Sequence, residues 1–95
     1  MRLRKFKAEL LAGQNVSAVE VPFDPAIEWG VPPQKIGPDR QGHPVNARIK
    51  GIFFGSNIVP QQEKFYLLVD AETERAAGIA EGDIVEVSVR RENPE

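Results

Sequence analysis

The chain contains no cysteine and only one histidine, His43. Without cysteine it can form no disulfide, no thiolate nucleophile and no cysteine-ligated metal site. A zinc or iron site would then need carboxylates for nearly all of its ligands, which is uncommon. We therefore expect no metal and no cofactor. The absence of disulfides also fits a reducing compartment, and we expect a cytoplasmic protein.

Hydroxyl nucleophiles and paired acids are scarce as well. The three serines and the single threonine lie outside any nucleophile-elbow pattern. Glu72 and Glu74 share a predicted helix but are two residues apart, so they do not face each other as an acid–base pair would. These absences favour a protein that is not an enzyme. An enzyme of unknown chemistry stays open as an alternative, with His43, Arg48 and Asp83 at a barrel mouth.

No apolar run approaches the roughly 18 residues that cross a bilayer. Glu9 interrupts the short apolar stretch after the basic N-terminus, so a signal peptide is not predicted either. The formal net charge is −2, so the chain as a whole does not attract nucleic acid or anionic lipid. We predict no membrane contact and treat nucleic acid as the less favoured partner.

Basic residues nonetheless gather near the two ends of the chain: Arg2, Arg4, Lys5, Lys7, Arg90 and Arg91. They would form one basic stripe only if the first and last strands were neighbours in the sheet. The alternative function is therefore a nucleic-acid-binding regulator of the swapped-hairpin type.

The strongest positive pattern is alternation of apolar and polar residues with a period of two. Five segments each place apolar residues on one face: Phe6, Ala8 and Leu10; Val19, Val21 and Phe23; Val45, Ala47, Ile49 and Phe53; Phe65, Leu67 and Val69; Val85, Val87 and Val89. A sixth short strand is predicted at Gln34–Gly37. A small open sheet would leave long unpaired edges. The pattern therefore predicts a mainly β fold, a small closed six-stranded β-barrel with one or two short helices.

Residues 1–91 would form this single domain, and 92–95 a frayed tail. The first predicted helix begins after Asp24 and ends at Gly30. The second covers Ala71–Ala77, between the capping residues Asp70 and Gly78. Turn-forming residues predict loops in four further places: 13–15, 37–42, 55–57 and 60–62.

A Gly-Asp pair, Gly82-Asp83, opens the last predicted strand directly after the second helix. Glycine suits the backbone angles of a tight turn, and the aspartate carboxylate can accept backbone N–H groups nearby. This arrangement resembles the GD box of cradle-loop barrels, which double-psi barrels and swapped-hairpin transcription factors share. We assign Gly82 and Asp83 a structural role.

Further elements follow in a characteristic order: Val19-Glu20-Val21-Pro22-Phe23-Asp24, Trp29-Gly30, Gly42-His43-Pro44, Phe65-Tyr66-Leu67-Leu68-Val69 and the Gly-Asp turn. With these elements the chain resembles, over nearly its whole length, the family called domain of unknown function 1905. Members are small β-barrels, some fused to a bacteriocin-protection type domain. The resemblance implies a barrel fold and a bacterial protein, and it implies no activity. We read Gly42-His43-Pro44 as a turn that enters a strand.

One apolar stretch does not fit the alternation. Residues 51–59 include Ile52, Phe53 and Phe54, which cannot all be buried on one face of a strand. Either the hairpin folds back over a barrel end, or it forms a partner surface or the rim of a ligand pocket.

We hypothesise a binding module that presents the Phe53–Val59 hairpin and Trp29 to a small apolar ligand, to a protein partner or to a second copy in a homodimer. The candidate ligand- or partner-binding residues are Trp29, His43, Arg48, Phe53, Phe54 and Arg75.

Overall fold

The computed structural model describes residues 3–13 and 16–92. This part of the chain forms seven strands and two helices: β1 (Arg4–Glu9), β2 (Ser17–Val21), α1 (Pro25–Trp29), β3 (Gln34–Gly37), β4 (Arg40–Ile49), β5 (Ile52–Gln61), β6 (Lys64–Val69), α2 (Ala71–Ala77) and β7 (Ile84–Arg91). Arg2, the turn residues Gln14 and Asn15, and the tail residues 93–95 lie outside the described residues. No helix in the described ranges is long and apolar enough to span a membrane.

The strands form an antiparallel sheet in the order β1-β7-β4-β5-β6-β2, and the predicted short strand, β3, pairs with β4 beside this path. The two end strands of this order approach each other. Leu11, just after β1, forms a bridge to Ala18 of β2, with N···O distances of 2.8 and 2.9 Å. The sheet is thus nearly closed into a six-stranded barrel, which confirms the predicted fold class.

The barrel interior is almost entirely aliphatic, as the alternation predicts. Its buried residues come from β2, β4, β5, β6 and β7, from the position directly after β1 and from the loop after α2: Leu10, Val19, Val21, Val45, Ala47, Ile49, Ile58, Leu67, Val69, Ile79, Val85, Val87 and Val89. Phe6, Phe23 and Phe65 pack against this core from partly buried positions.

Phe53 does not join the core, although the alternation predicts that it faces inward with Ile49. It is 76% exposed. The reason is the two-residue turn Lys50-Gly51, in which both residues have positive φ (50° and 81°), as in the tight turns that favour hairpins. Ile49 pairs with Ile52 across this turn. The inward face of β5 therefore carries the even-numbered residues, and Phe53 points outward.

Several turns also differ from their predicted positions. Residues 55–57 lie within β5, and Gly42-His43-Pro44 lies within β4 rather than in a turn before it. The β3–β4 hairpin turns at Pro38-Asp39, within the predicted loop 37–42, and the β5–β6 hairpin turns at Gln62-Glu63, at the end of the predicted loop 60–62. The latter turn uses positive φ at two residues that are neither glycine nor asparagine (53° and 67°), so composition does not identify the two turn residues themselves.

Both helices are confirmed at their predicted bounds. The Asp24 carboxylate accepts a hydrogen bond from the Ala26 N–H at 2.9 Å. The Asp70 carboxylate likewise accepts one from the Thr73 N–H at 2.8 Å. Gly30 and Gly78 end the two helices in the left-handed conformation, each with φ of 68°.

The cap of α2 makes stability depend on pH. The Thr73 backbone N–H, and then the Thr73 side chain, hold the pKa of Asp70 below its ordinary value of 3.8. A lowered pKa stabilises the fold above about pH 3.8, and this stabilisation is lost as the pH falls through the folded-state pKa.

We expect Asp70→Ala to lower the free energy of unfolding by about 1 kcal/mol at neutral pH, and by clearly less near pH 2. Urea denaturation of both proteins across this range measures the difference. An equal loss at both pH values would contradict a charged cap.

Candidate functional site

The six candidate binding residues do not converge on one place. Arg48 and Phe53 face each other across β4 and β5, whereas His43 lies five residues before Arg48 on β4, a distance of about 17 Å along the strand. Phe54 packs against the core from a partly buried position. Arg75 is exposed in the last turn of α2.

Trp29 belongs to an aromatic cluster between α1 and the barrel. Neighbouring rings run from Phe6 through Phe23 and Trp29 to His43, with centroid distances of 6.3, 5.7 and 6.5 Å. The first two contacts have the edge-to-face geometry that aromatic pairs prefer. The guanidinium carbon of Arg4 lies 4.5 Å from the Phe23 centroid and covers the cluster from one side.

His43 is 6% exposed, and its Nε2 lies 2.9 Å from the Val31 carbonyl oxygen. With this oxygen as acceptor, Nε2 carries the proton. The Trp29 Nε1 atom is buried and has no hydrogen-bond partner among the described residues. Both polar groups are thus buried, while the rings of Phe6, Phe23 and Trp29 are each half-buried.

The Gly82-Asp83 turn ties the start of β7 to the end of β1. Gly82 has φ of 95°, and the Asp83 carboxylate accepts a hydrogen bond from the Ala80 N–H at 2.9 Å. Leu10 exchanges two backbone hydrogen bonds of 2.8 Å with this turn: its N–H donates to Asp83, and its carbonyl accepts from Gly82. The turn therefore lies next to the Leu11–Ala18 bridge that brings the sheet edges together.

The outer face of four adjacent strands carries a different arrangement. Strand register places Phe53, Arg48, Ser88 and Lys5 side by side on β5, β4, β7 and β1. Neighbouring strands are about 4.8 Å apart, so this row spans about 14 Å. The guanidinium carbon of Arg48 lies 5.2 Å from the Phe53 ring centroid, which is within cation–π range.

A cleft of about 420 Å³ runs along this row. Three cations line it, Lys5, Arg48 and Lys50, together with Ser88 and a single carboxylate, that of Glu86. Lys7 of β1 and Arg90 of β7 are exposed on the same outer surface. We call this surface the basic face and define it by these residues: Lys5, Lys7, Arg48, Lys50, Phe53 and Arg90.

The cations of the basic face form no ion pair with a carboxylate of the described residues, although strand register places Glu86 directly opposite Lys7. Within residues 3–13 and 16–92, the ion pairs are Arg4–Glu28 and Lys64–Glu20, both elsewhere on the barrel. The exposed acids on β1, β4, β5 and β7 are Glu9 and Glu86, against the five exposed cations Lys5, Lys7, Arg40, Arg48 and Arg90, and the β4–β5 turn adds Lys50. A chain with a net charge of −2 therefore concentrates positive charge on one surface.

Sequence analysis identified Arg48, Phe53 and the terminal basic residues, but it did not bring them together or include Lys50. The alternation does place Lys5, Lys7, Arg48 and Arg90 on polar faces. The alternation does not reveal the order of the strands in the sheet. The pairing of β1 with β7, and of β7 with β4, joins these polar faces into one surface.

The family described as Domain of unknown function (DUF1905) matches residues 6–89. The chain belongs to this family. The match covers nearly the whole chain and confirms the predicted resemblance. Among the curated proteins, none matches this chain. Membership in DUF1905 thus supports the barrel domain and brings no activity with it.

Proposed function

We propose that this DUF1905 domain is a binding module that holds an anionic partner on its basic face. One observation carries the proposal: Lys5, Arg48 and Lys50 line a single cleft without ion-pair partners among the described residues, beside the exposed ring of Phe53. Unpaired cations in a concave site raise the local concentration of anions and offer them charge-assisted hydrogen bonds.

Of the apolar residues predicted to form a binding surface, only Phe53 is strongly exposed at the basic face, where Ile84, 66% exposed, also lines the cleft. Phe53 is strongly exposed, but Phe54 packs against the core and Ile58 is fully buried. Trp29 and His43 are enclosed in the aromatic cluster. Charge supplies most of what the basic face offers a partner, and Phe53 adds contact area and a flat ring.

The same charges argue against a homodimer through this surface. A twofold interface places the same patch of both copies face to face. The cations around Arg48 would then meet the cations of the second copy, with Glu86 as the only carboxylate in the cleft. Like charges in direct opposition destabilise an interface, so the geometry favours a partner of opposite charge.

Heparin chromatography tests the proposal with a matched pair of charge reversals. We expect the protein to be retained at low ionic strength, and Lys5→Glu to weaken retention by about fivefold in apparent affinity. Lys35→Glu makes the same change in net charge on β3, outside the basic face, and should elute close to the unmodified protein.

Three results would contradict the proposal: no retention at low salt, equal shifts for Lys5→Glu and Lys35→Glu, or a dimer in sedimentation that Phe53→Ser dissociates. Either of the first two results would show that the basic face is not an anion-binding site. The third would instead favour self-association through Phe53.

A further inference from the structure

We infer that the anionic partner is a single-stranded nucleic acid, with its phosphates against Lys5, Arg48 and Lys50 and a base stacked on Phe53. This inference rests on the proposed function and names the partner. It combines two properties of the basic face, the extent of its charge and the exposure of its aromatic ring.

The positive charge extends beyond a single phosphate site. Lys5, Arg48 and Lys50 line the cleft, while Lys7 and Arg90 lie outside it on the neighbouring strands β1 and β7. Lys7 lies two residues from Lys5, about 7 Å along β1. Charges spread along two directions of a sheet suit a polymer of phosphates better than one free anion.

Phe53 is placed to receive a base. It is 76% exposed even with the Arg48 guanidinium carbon 5.2 Å from its ring centroid. The next outward position on β5 is Gly55, where even an added Cβ would meet only the Asn46 Oδ1 atom, at 4.0 Å. The ring is therefore uncrowded along its strand. The amide of Asn46 could donate to a base edge and accept from it.

The exposed ring of Phe53 favours a single-stranded nucleic acid over other polyanions. In a duplex the bases are stacked within the helix, so their faces are closed to Phe53 unless the duplex opens. An acidic peptide satisfies the cations but brings no base for the ring. Stacking of bases on aromatic side chains beside a basic groove is the usual way that single strands are held without sequence preference.

The decisive comparison uses two fluorescently labelled strands of about 12 nucleotides, one of thymidine and one abasic, in anisotropy titrations at low salt. We expect Phe53→Ala to weaken binding of the thymidine strand by about 5- to 100-fold and to leave the abasic strand unchanged. Ile27→Ala serves as the control, because Ile27 is an equally exposed apolar residue (81%) on α1.

Lys5→Glu should weaken binding of both strands. It should also reduce the slope of log affinity against log salt by about 0.7 for the phosphate contact it removes. Lys35→Glu should leave both quantities unchanged. Circular dichroism confirms that each variant folds. Arg48→Gln provides a second test of the phosphate contacts that does not depend on Lys5.

Equal affinity for the thymidine and abasic strands, or for duplex and single strand, would overturn the inference. So would competition by thymidine monophosphate or polyglutamate that equals competition by the thymidine strand. If heparin retention still depends on Lys5 when one of these results is found, only the inference fails and the proposed anion-binding function stands. Loss of heparin binding as well would remove the proposed function itself.

Discussion

Replacing Leu67 with alanine is expected to lower the free energy of unfolding by about 3–4 kcal/mol. Leu67 is fully buried on β6, and it pairs with Ile58 of β5 on one side and with Val19 of β2 on the other. Both partners are fully buried too, and strands held in a sheet cannot collapse into the space that the leucine leaves. Since a domain of this size has about 5–15 kcal/mol of stability, the loss is large.

Urea denaturation measures this change, with Leu68→Ala as the matched control. Leu68 is the next residue of β6 and lies on the opposite side of the strand, where it lines an outer cleft and is half-buried. The same chemical change should cost less than half as much there, because less apolar area leaves water on folding. Equal losses at 67 and 68 would mean that the enclosed core is not on the predicted face.

Gly42→Ala is expected to lower the free energy of unfolding by about 3 kcal/mol, which is at the upper end of the range for adding a methyl group to a packed site. Gly42 is buried within β4. An alanine Cβ at this position would lie 2.7 Å from the Ile58 carbonyl oxygen and 3.0 Å from Ile36 Cδ1. The carbonyl belongs to the backbone of a neighbouring strand, so it cannot rotate away as a side chain would. The strands must separate locally instead.

The control for this variant is Gly55→Ala on β5. A Cβ there would meet nothing closer than 4.0 Å, and alanine restricts the unfolded chain more than glycine does. We therefore expect this variant to be neutral or more stable by about 0.4–1 kcal/mol. Thermal denaturation compares the two. If both variants lose the same stability, the close approach of β4 to β5 at Gly42 is not the cause.

Local rules predict both helices and most of the core, but they do not predict β5, because the predicted loop 55–57 lies within that strand and the buried Ile58 is not among the predicted core residues. The capping aspartates and the C-terminal glycines place both helices, because caps act within a few residues. Alternation identifies the aliphatic interior, because strands at the barrel surface bury one face. The alternation rule failed at the Lys50-Gly51 turn, where both residues have positive φ. After this turn the even-numbered residues of β5 face inward, and Phe53 therefore points outward. Lysine carries no turn signal that would reveal this.

The basic face could not be predicted in the same way. Lys5, Arg48 and Arg90 are far apart in the sequence, and only the order of strands brings them to one surface. Alternation tells which face a residue occupies on its own strand but not which strands are neighbours. The terminal basic residues form one surface only if the first and last strands pair, and the pairing of β1 with β7 meets that condition for Lys5, Lys7 and Arg90.

The position of β7 has a consequence for how the chain folds as it is synthesised. The last strand lies between the first strand and β4, and β7 is the neighbour with which β1 forms its ladder. Until Ile84–Arg91 has left the ribosome, β1 lacks this partner and the outer edge of β4 is uncovered. Formation of the native barrel therefore has to wait for the synthesis of β7, and it includes the slow pairing of strands that lie far apart in the sequence.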